Sequence, residues 1–241
     1  MAQTHFVILT QGRTGSNLLC SLLNTNPAIY ADGEIFNKKE QLKKHPSWWV
    51  NGIRHFPHWY IKHRASKTHK LAYGFKLLVE QWPQPIETGV QALIDRQFLP
   101  IYLFRKNTIS QLISTVIANQ QNRWVVNSEQ EYHEAPIALN FDLAMFKMKQ
   151  IEERTHTLNT LCQQYPGLNL YYEEHLLNNR MFDFMGNEVC FYLNVPKAPM
   201  QTKMLKTDIR SDRERISNLD EFLAFMADAG YEQAVDYYLK N

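Results

Sequence analysis

Apolar residues along the chain fall into two periods. Phe6-Val7-Ile8-Leu9 is an unbroken apolar run and predicts a buried strand. Gln11-Gly12-Arg13-Thr14-Gly15-Ser16-Asn17 interrupts it, and Leu18, Leu19, Leu22 and Leu23 then follow at helical spacing, ending near Asn26-Pro27. Residues 73–79, 100–104 and 168–172 predict three more strands. Helices are predicted over 85–97, 107–122, 141–165, 182–193 and 219–239, the last broken at Gly230. In the second of these, Ile109, Leu112, Ile113, Val116 and Ile117 line one face. Strands alternating with helices imply a parallel sheet covered on both faces, an α/β fold whose ligands sit at the carboxyl ends of the strands.

The 241 residues suit one to two domains at ~150 residues each, and the reading is a single domain over 1–241. A hydrophobic share of 44% excludes a disordered chain. Net charge is only +2, which gives no case for a nucleic-acid partner. The charge is unevenly spread, however. An insertion over about 38–70 carries nine Lys or Arg, five His and a single acid, Glu40, with Trp48, Trp49, Trp59 and Tyr60 among them. This basic segment reads as a surface for anionic glycans or lipid headgroups, and it also fits peripheral contact with a membrane. His55, His58 and His63 lie within it, but Cys and paired carboxylates are absent there, so no metal is expected. No stretch is apolar for 18 residues, and the first residues lack the basic start and long apolar core of a signal peptide. Cys20, Cys162 and Cys190 are too few for a disulfide framework. Cys20 and Cys162 are expected to be buried thiols, in a reducing, cytoplasmic compartment.

The segment from Gly12 to Asn17 carries the chemistry. A strand that enters a glycine turn and then a helix aims backbone N–H groups at one point, where the helix dipole adds about half a positive charge. Such a site suits an oxyanion, although a glycine turn that merely packs a helix on a strand reads the same way. A nucleotide-triphosphate loop would end in Gly-Lys-[Ser/Thr]; here no Lys follows Gly15, and Arg13 is the nearby cation. Arg105 closes another predicted strand just before a helix that contains Ser110 and Ser114, which makes it a candidate second anion site.

These residues resemble the sulfotransferases that use 3′-phosphoadenosine-5′-phosphosulfate, most of all the bacterial nodulation and trehalose branch. FVILTQGRTGSNLLCSLL at 6–23 resembles the strand and 5′-phosphosulfate loop of the family, and LFRKNTISQLISTVIA at 103–118 its 3′-phosphate segment. Between them, Asp32-Gly33-Glu34-Ile35-Phe36 is similar to a G-E-x-F turn and Tyr73-Gly74-Phe75-Lys76-Leu77 to a G-x-K-L strand. Tyr172-Glu173-Glu174 and Ile216-Ser217-Asn218 resemble later motifs.

The resemblance implies a P-loop-like sulfotransferase fold and a set of roles. Gly12, Arg13, Thr14, Gly15, Ser16 and Asn17 would cradle the 5′-phosphosulfate, and Arg105 and Ser114 the 3′-phosphate. Glu34 would take the proton from an acceptor hydroxyl on a carbohydrate, glycolipid or small metabolite. Lys76 would sit near the transferred group, and Arg13 would stand where the eukaryotic branch has a Lys. The product would be adenosine 3′,5′-bisphosphate, and no metal is demanded. Asp32 is the alternative base, and its conversion to Asn is expected to be mild. The rival readings are a P-loop kinase of small molecules and a non-catalytic binder of nucleotides or anionic glycans. The loop at 196–215 reads either as a solvated linker or as a flap, and oligomeric state is open.

Overall fold

The computed structural model describes residues 3–82, 85–122, 135–202 and 211–240. The chain divides into two compact units, Met1–Phe104 with Arg154–Thr202 and Arg105–Glu153 with Lys203–Asn241.

The first unit is built on β1 (Thr4–Thr10), β2 (Ile29–Glu34), β3 (Ala72–Leu78), β4 (Phe98–Phe104) and β5 (Leu168–Tyr171). All pairings are parallel, in the order β2-β3-β1-β4-β5. Helices among the described residues are α1 (Ser16–Leu23), α2 (Lys38–Lys44), α3 (Ser47–His55), α4 (Pro57–Ala65), α5 (Ile86–Ile94), α6 (Thr108–Gln120), α7 (Phe141–Gln164), α8 (Phe182–Tyr192), α9 (Asp212–Arg215), α10 (Leu219–Met226) and α11 (Glu232–Lys240).

β1 is apolar from Phe6 to Leu9 because that stretch lies in the middle of the sheet and is buried on both faces. Phe6 and Ile8 point into one core with Leu19, Leu22 and Leu23 of α1 and Met185 and Val189 of α8. Val7 and Leu9 point into the other, with Val90 and Leu93 of α5 and Leu158 and Leu161 of α7. A Cβ at Gly74 of β3 would stand 2.4 Å from the Phe6 ring, so only glycine lets that ring lie flat on the neighbouring strand. In the second unit Ile109, Leu112 and Val116 of α6 pack with Met148 of α7 and with Leu219, Phe222 and Met226 of α10. Gly230, at φ 95°, separates α10 from α11, where the sequence pattern breaks.

The structure differs from the sequence expectation in several places. Residues 29–34 form an edge strand, β2, which takes in Asp32-Gly33-Glu34 where the resemblance implies a turn. The basic insertion folds into α2, α3 and α4. The Asn37 side chain starts α2 by accepting from the N–H groups of Lys39 and Glu40 at 3.1 and 3.3 Å. Pro57 starts α4 at a position where its missing N–H costs nothing. β5 ends at Tyr171, and residues Tyr172–Leu176 form a turn of π-helix. Cys162 is partly exposed, while Cys20 and Cys190 are buried. Of the loop at 196–215, residues 203–210 lie outside the described residues.

Asp32 is tied into this architecture. Arg64 of α4 donates to both of its carboxylate oxygens, through Nε and Nη2, at 2.8 Å each, and Tyr73 Oη donates at 3.4 Å. The carboxylate is 9% exposed, so it needs that partner. Asp32→Asn, expected to be mild for turnover as the control for Glu34, is costly for stability, since it leaves the half-buried Arg64 guanidinium without a counter-charge. It should cost about 3 kcal/mol, at the low end for a broken buried pair because Arg64 keeps some access to water. Urea denaturation checks this, and an unchanged midpoint would show that the pair does not hold α4 to the sheet edge.

Candidate functional site

The turn from β1 into α1 has a strained, defined shape. Arg13 adopts φ 64° and Gly15 φ 84°, both in the left-handed region. Thr14 fixes the bend between them: its buried hydroxyl is hydrogen-bonded to that of Thr10 at 2.6 Å and lies 3.0 Å from the Gln11 carbonyl. Thr10 donates in turn to the Leu103 carbonyl on β4 at 2.9 Å. Gly15 is the N-cap of α1, so no N-cap side chain takes up the first N–H groups of that helix. A Cβ on Gly15 would stand 2.5 Å from the Tyr172 ring. The glycine is thus required by the packing of Tyr172 against the turn, which makes Tyr172 a wall of the site. Gln11 anchors the outer side by donating to Thr155 Oγ1 at 2.8 Å.

Next to this turn lies a buried charge. Lys76, two residues before the carboxyl end of β3, has only 2% of its side chain exposed. An ammonium so buried requires a counter-charge. Its Nζ meets Glu34 Oε1 at 2.8 Å and also donates to Asn17 Oδ1, on the first turn of α1. The pairing of β2 with β3 slips between Asp32 and Glu34, and the slip brings Glu34 level with Lys76. Gln81 Nε2 and Asn37 Nδ2 donate to the other oxygen, Oε2, at 2.6 and 2.8 Å. Burial alone pushes the Glu34 carboxyl up. The Lys76 ammonium, with hydrogen bonds from Lys76, Gln81 and Asn37, outweighs that and holds it below the ordinary carboxylate value. Glu34 is therefore an ionised carboxylate at neutral pH, 23% exposed, fixed at both oxygens.

Gly12, Arg13, Thr14, Gly15, Ser16, Asn17, Glu34 and Lys76 all belong to the first unit, and Asn17, Glu34 and Lys76 are in direct contact. Arg105 and Ser114 belong to the second unit, the former just after β4 and the latter on α6. The Asn107 side chain caps α6 by accepting from Ser110 N–H at 2.9 Å, so that helix start is already served by its own chain. Three contributors escape the sequence reading. Gln81 sits in a turn that gives no signal. Asn37 carries a detectable one, as the cap before Lys38. Glu80 lies 4.0 Å from where a Cβ on Gly12 would be and pairs with Arg154 at 3.5 Å, which offsets its charge beside the turn. Cys20, buried on α1, is no nucleophile, because burial pushes its thiol up to about 11.

No protein-family model matches the chain, and no curated protein sequence does. Among solved structures it is similar to a sulfotransferase from Alicyclobacillus acidocaldarius, with a TM-score of 0.55 and 13% identity over 95% of this chain and 93% of that one. A sulfotransferase domain from the Synechococcus PCC 7002 olefin synthase matches with a TM-score of 0.45 and 15% identity over 91% of this chain and 83% of that one. The first likeness spans nearly the whole length of both chains, and it establishes that this parallel α/β structure has the fold of a sulfotransferase.

Proposed function

We propose that this protein is a sulfotransferase acting as one domain, which moves a sulfuryl group from 3′-phosphoadenosine-5′-phosphosulfate to a hydroxyl of a carbohydrate, glycolipid or small metabolite. One observation carries the reading: the Lys76 ammonium joins the Glu34 carboxylate to Asn17 of the anion-binding turn. A base, a buried cation and a helix N-terminus are thereby gathered at the carboxyl ends of adjacent parallel strands. A sulfate-like group fits this setting, since the turn ends on an N-cap without a side chain and carries Arg13.

The donor, when bound, supplies an activated sulfuryl group whose leaving oxygen gathers negative charge. The first N–H groups of α1, Arg13 and Lys76 are the groups of this chain that would meet such charge. Glu34 accepts the proton of the acceptor hydroxyl. Its resting bond to Lys76 makes it a weak base. Any shift of the ammonium toward a bound anion raises the basicity of Glu34 at the moment it is needed. The resemblance assigns the 3′-phosphate to Arg105 and Ser114. The charge on Arg13 and Lys76 supports transfer without a metal ion.

Three outcomes are expected. Adenosine 3′,5′-bisphosphate should bind more tightly than AMP, and Arg105→Ala should remove about 1.5–3 kcal/mol of that preference, as for a hydrogen bond to a charged group. Calorimetry with both nucleotides decides this, and equal affinities in the unmodified protein would refute the donor.

With an identified acceptor, Glu34→Gln should lower kcat by about 10²–10⁴-fold and leave bisphosphate affinity nearly unchanged. Turnover close to the original would show that Glu34 is not the base.

In Lys76→Met, the ammonium's charge and hydrogen bond no longer oppose burial, so the Glu34 pKa rises, held back only by the Gln81 and Asn37 hydrogen bonds. The acid limb of kcat/KM should then move to higher pH. In the unmodified protein the same pair contributes stability that is complete above about pH 4.3, the free carboxylate value, and is lost as pH falls through the lower folded value. An acid limb at the same pH in both proteins would separate Glu34 from Lys76.

A further inference from the structure

Helices α3 and α4 enclose an open cleft of about 410 Å³ lined by Trp48, Trp49, Gly52, Ile53, Phe56 and Trp59. Its floor belongs to the fold: Ile53 is buried in the core, and Trp49 packs against that core from its edge. Its rim does not. Trp48, Phe56 and Trp59 are 70, 68 and 55% exposed. The rings are held by one another, with Trp49 edge-on to Trp48 at 6.0 Å and to Trp59 at 5.8 Å, and with His63 stacked on Trp59 at 5.6 Å. Large aromatic side chains left in water as a group mark a contact surface.

The surroundings identify what it contacts. No Asp or Glu occurs from residue 41 to residue 79. Lys38, Lys39, Lys43 and Lys44 are exposed on α2 before the cleft, and Lys62, His63, Lys67 and His69 are exposed after it. The acid closest in sequence, Glu40, is taken up by Lys43 at 2.6 Å. An aromatic rim within a cationic border whose one acid, Glu40, is paired matches an anionic lipid surface. Trp and Phe settle at the level of the headgroups, and lysines meet the phosphates around them. A single small ligand would be enclosed over most of its surface, which a cleft with so exposed a rim does not do. The apolar face of a protein partner gives no reason for carboxylates to be absent over 39 successive positions.

We propose that the face formed by α2, α3 and α4 docks this protein on a bilayer containing anionic phospholipid, with Trp48, Phe56 and Trp59 entering the interface. The proposal does not depend on the sulfotransferase reading. The test is co-sedimentation of the full chain with vesicles of phosphatidylcholine alone or mixed with phosphatidylglycerol, read together with tryptophan emission. Binding to the mixed vesicles only is expected, with a blue shift in emission and weakening by salt. The double variant Trp48→Ala with Trp59→Ala should lose on the order of tenfold or more in partitioning. It should keep its thermal midpoint, because both residues are exposed. Lys38→Glu with Lys39→Glu should weaken binding without changing the tryptophan signal of the free protein. Several results would overturn the proposal: no vesicle binding, equal binding to both vesicle types, or a double variant that binds like the original. So would a dimer in solution that the double variant dissolves, which would make the face a contact between copies. Saturation of the emission shift by a short-chain amphiphile below its micelle concentration, with no response to vesicles, would assign the cleft to a single ligand instead.

Discussion

A lysine in the second strand of a parallel sheet from its edge, with almost none of its side chain in water, governs the layout of the first unit. Lys76 cannot stay charged there alone, and the neighbouring elements are arranged around that need. The edge strand β2 slips its register so that Glu34 comes level with it. The first turn of α1 offers Asn17. The turn after β3 returns Gln81 to the far oxygen of Glu34, and Asn37 closes the same oxygen while its own Oδ1 starts α2. Five residues from three stretches of chain, at 17, 34–37 and 76–81, thus share one charge. Removing either ion of such a pair leaves the other buried and uncompensated, so the arrangement is as much a constraint on folding as on chemistry.

That dual use explains how the site differs from a surface ion pair of the same composition. Exposed pairs contribute little and rearrange freely. Here the carboxylate is fixed at both oxygens and the ammonium is walled in by the sheet, so the two charges and the turn keep one geometry without a ligand to order them. Asp32, two residues away on the same strand, has the same chemistry and the opposite fate. Its oxygens are taken by Arg64, which turns a candidate base into a strap between β2 and α4.

Much of this was legible in the sequence, for physical reasons that differ by element. β1 and β4 are buried on both faces and their apolar runs announce it, while β3 is legible although Lys76 interrupts its run. α6 and α7 show their apolar stripes at helical spacing. β2 was hidden because Ile-Tyr-Ala-Asp-Gly-Glu has the composition of a turn; it is a strand because Asp32 and Glu34 find buried partners that no local pattern encodes. Two helices of the basic insertion were hidden for a related reason: α2 has Leu42 as its single apolar residue, and the apolar positions of α4 form no clean stripe. The roles of Glu34 and Lys76 came from a family resemblance, but their contact comes from strand register, which is set by pairing across more than forty residues.

The strand order also has a consequence for how the chain is made. β1 forms early, yet its two partners are β3, beginning at Ala72, and β4, beginning at Phe98. Its most distant bond, from Thr10 to Leu103, spans 93 residues. At about 5–20 residues per second, a nascent chain carries Phe6-Val7-Ile8-Leu9 unpaired for several seconds or more before β4 leaves the ribosome. Those four residues become the least exposed part of the finished sheet, and during synthesis they are its most exposed adhesive. Successful production of this protein therefore depends on what shields one short strand while the rest of its sheet is still being written.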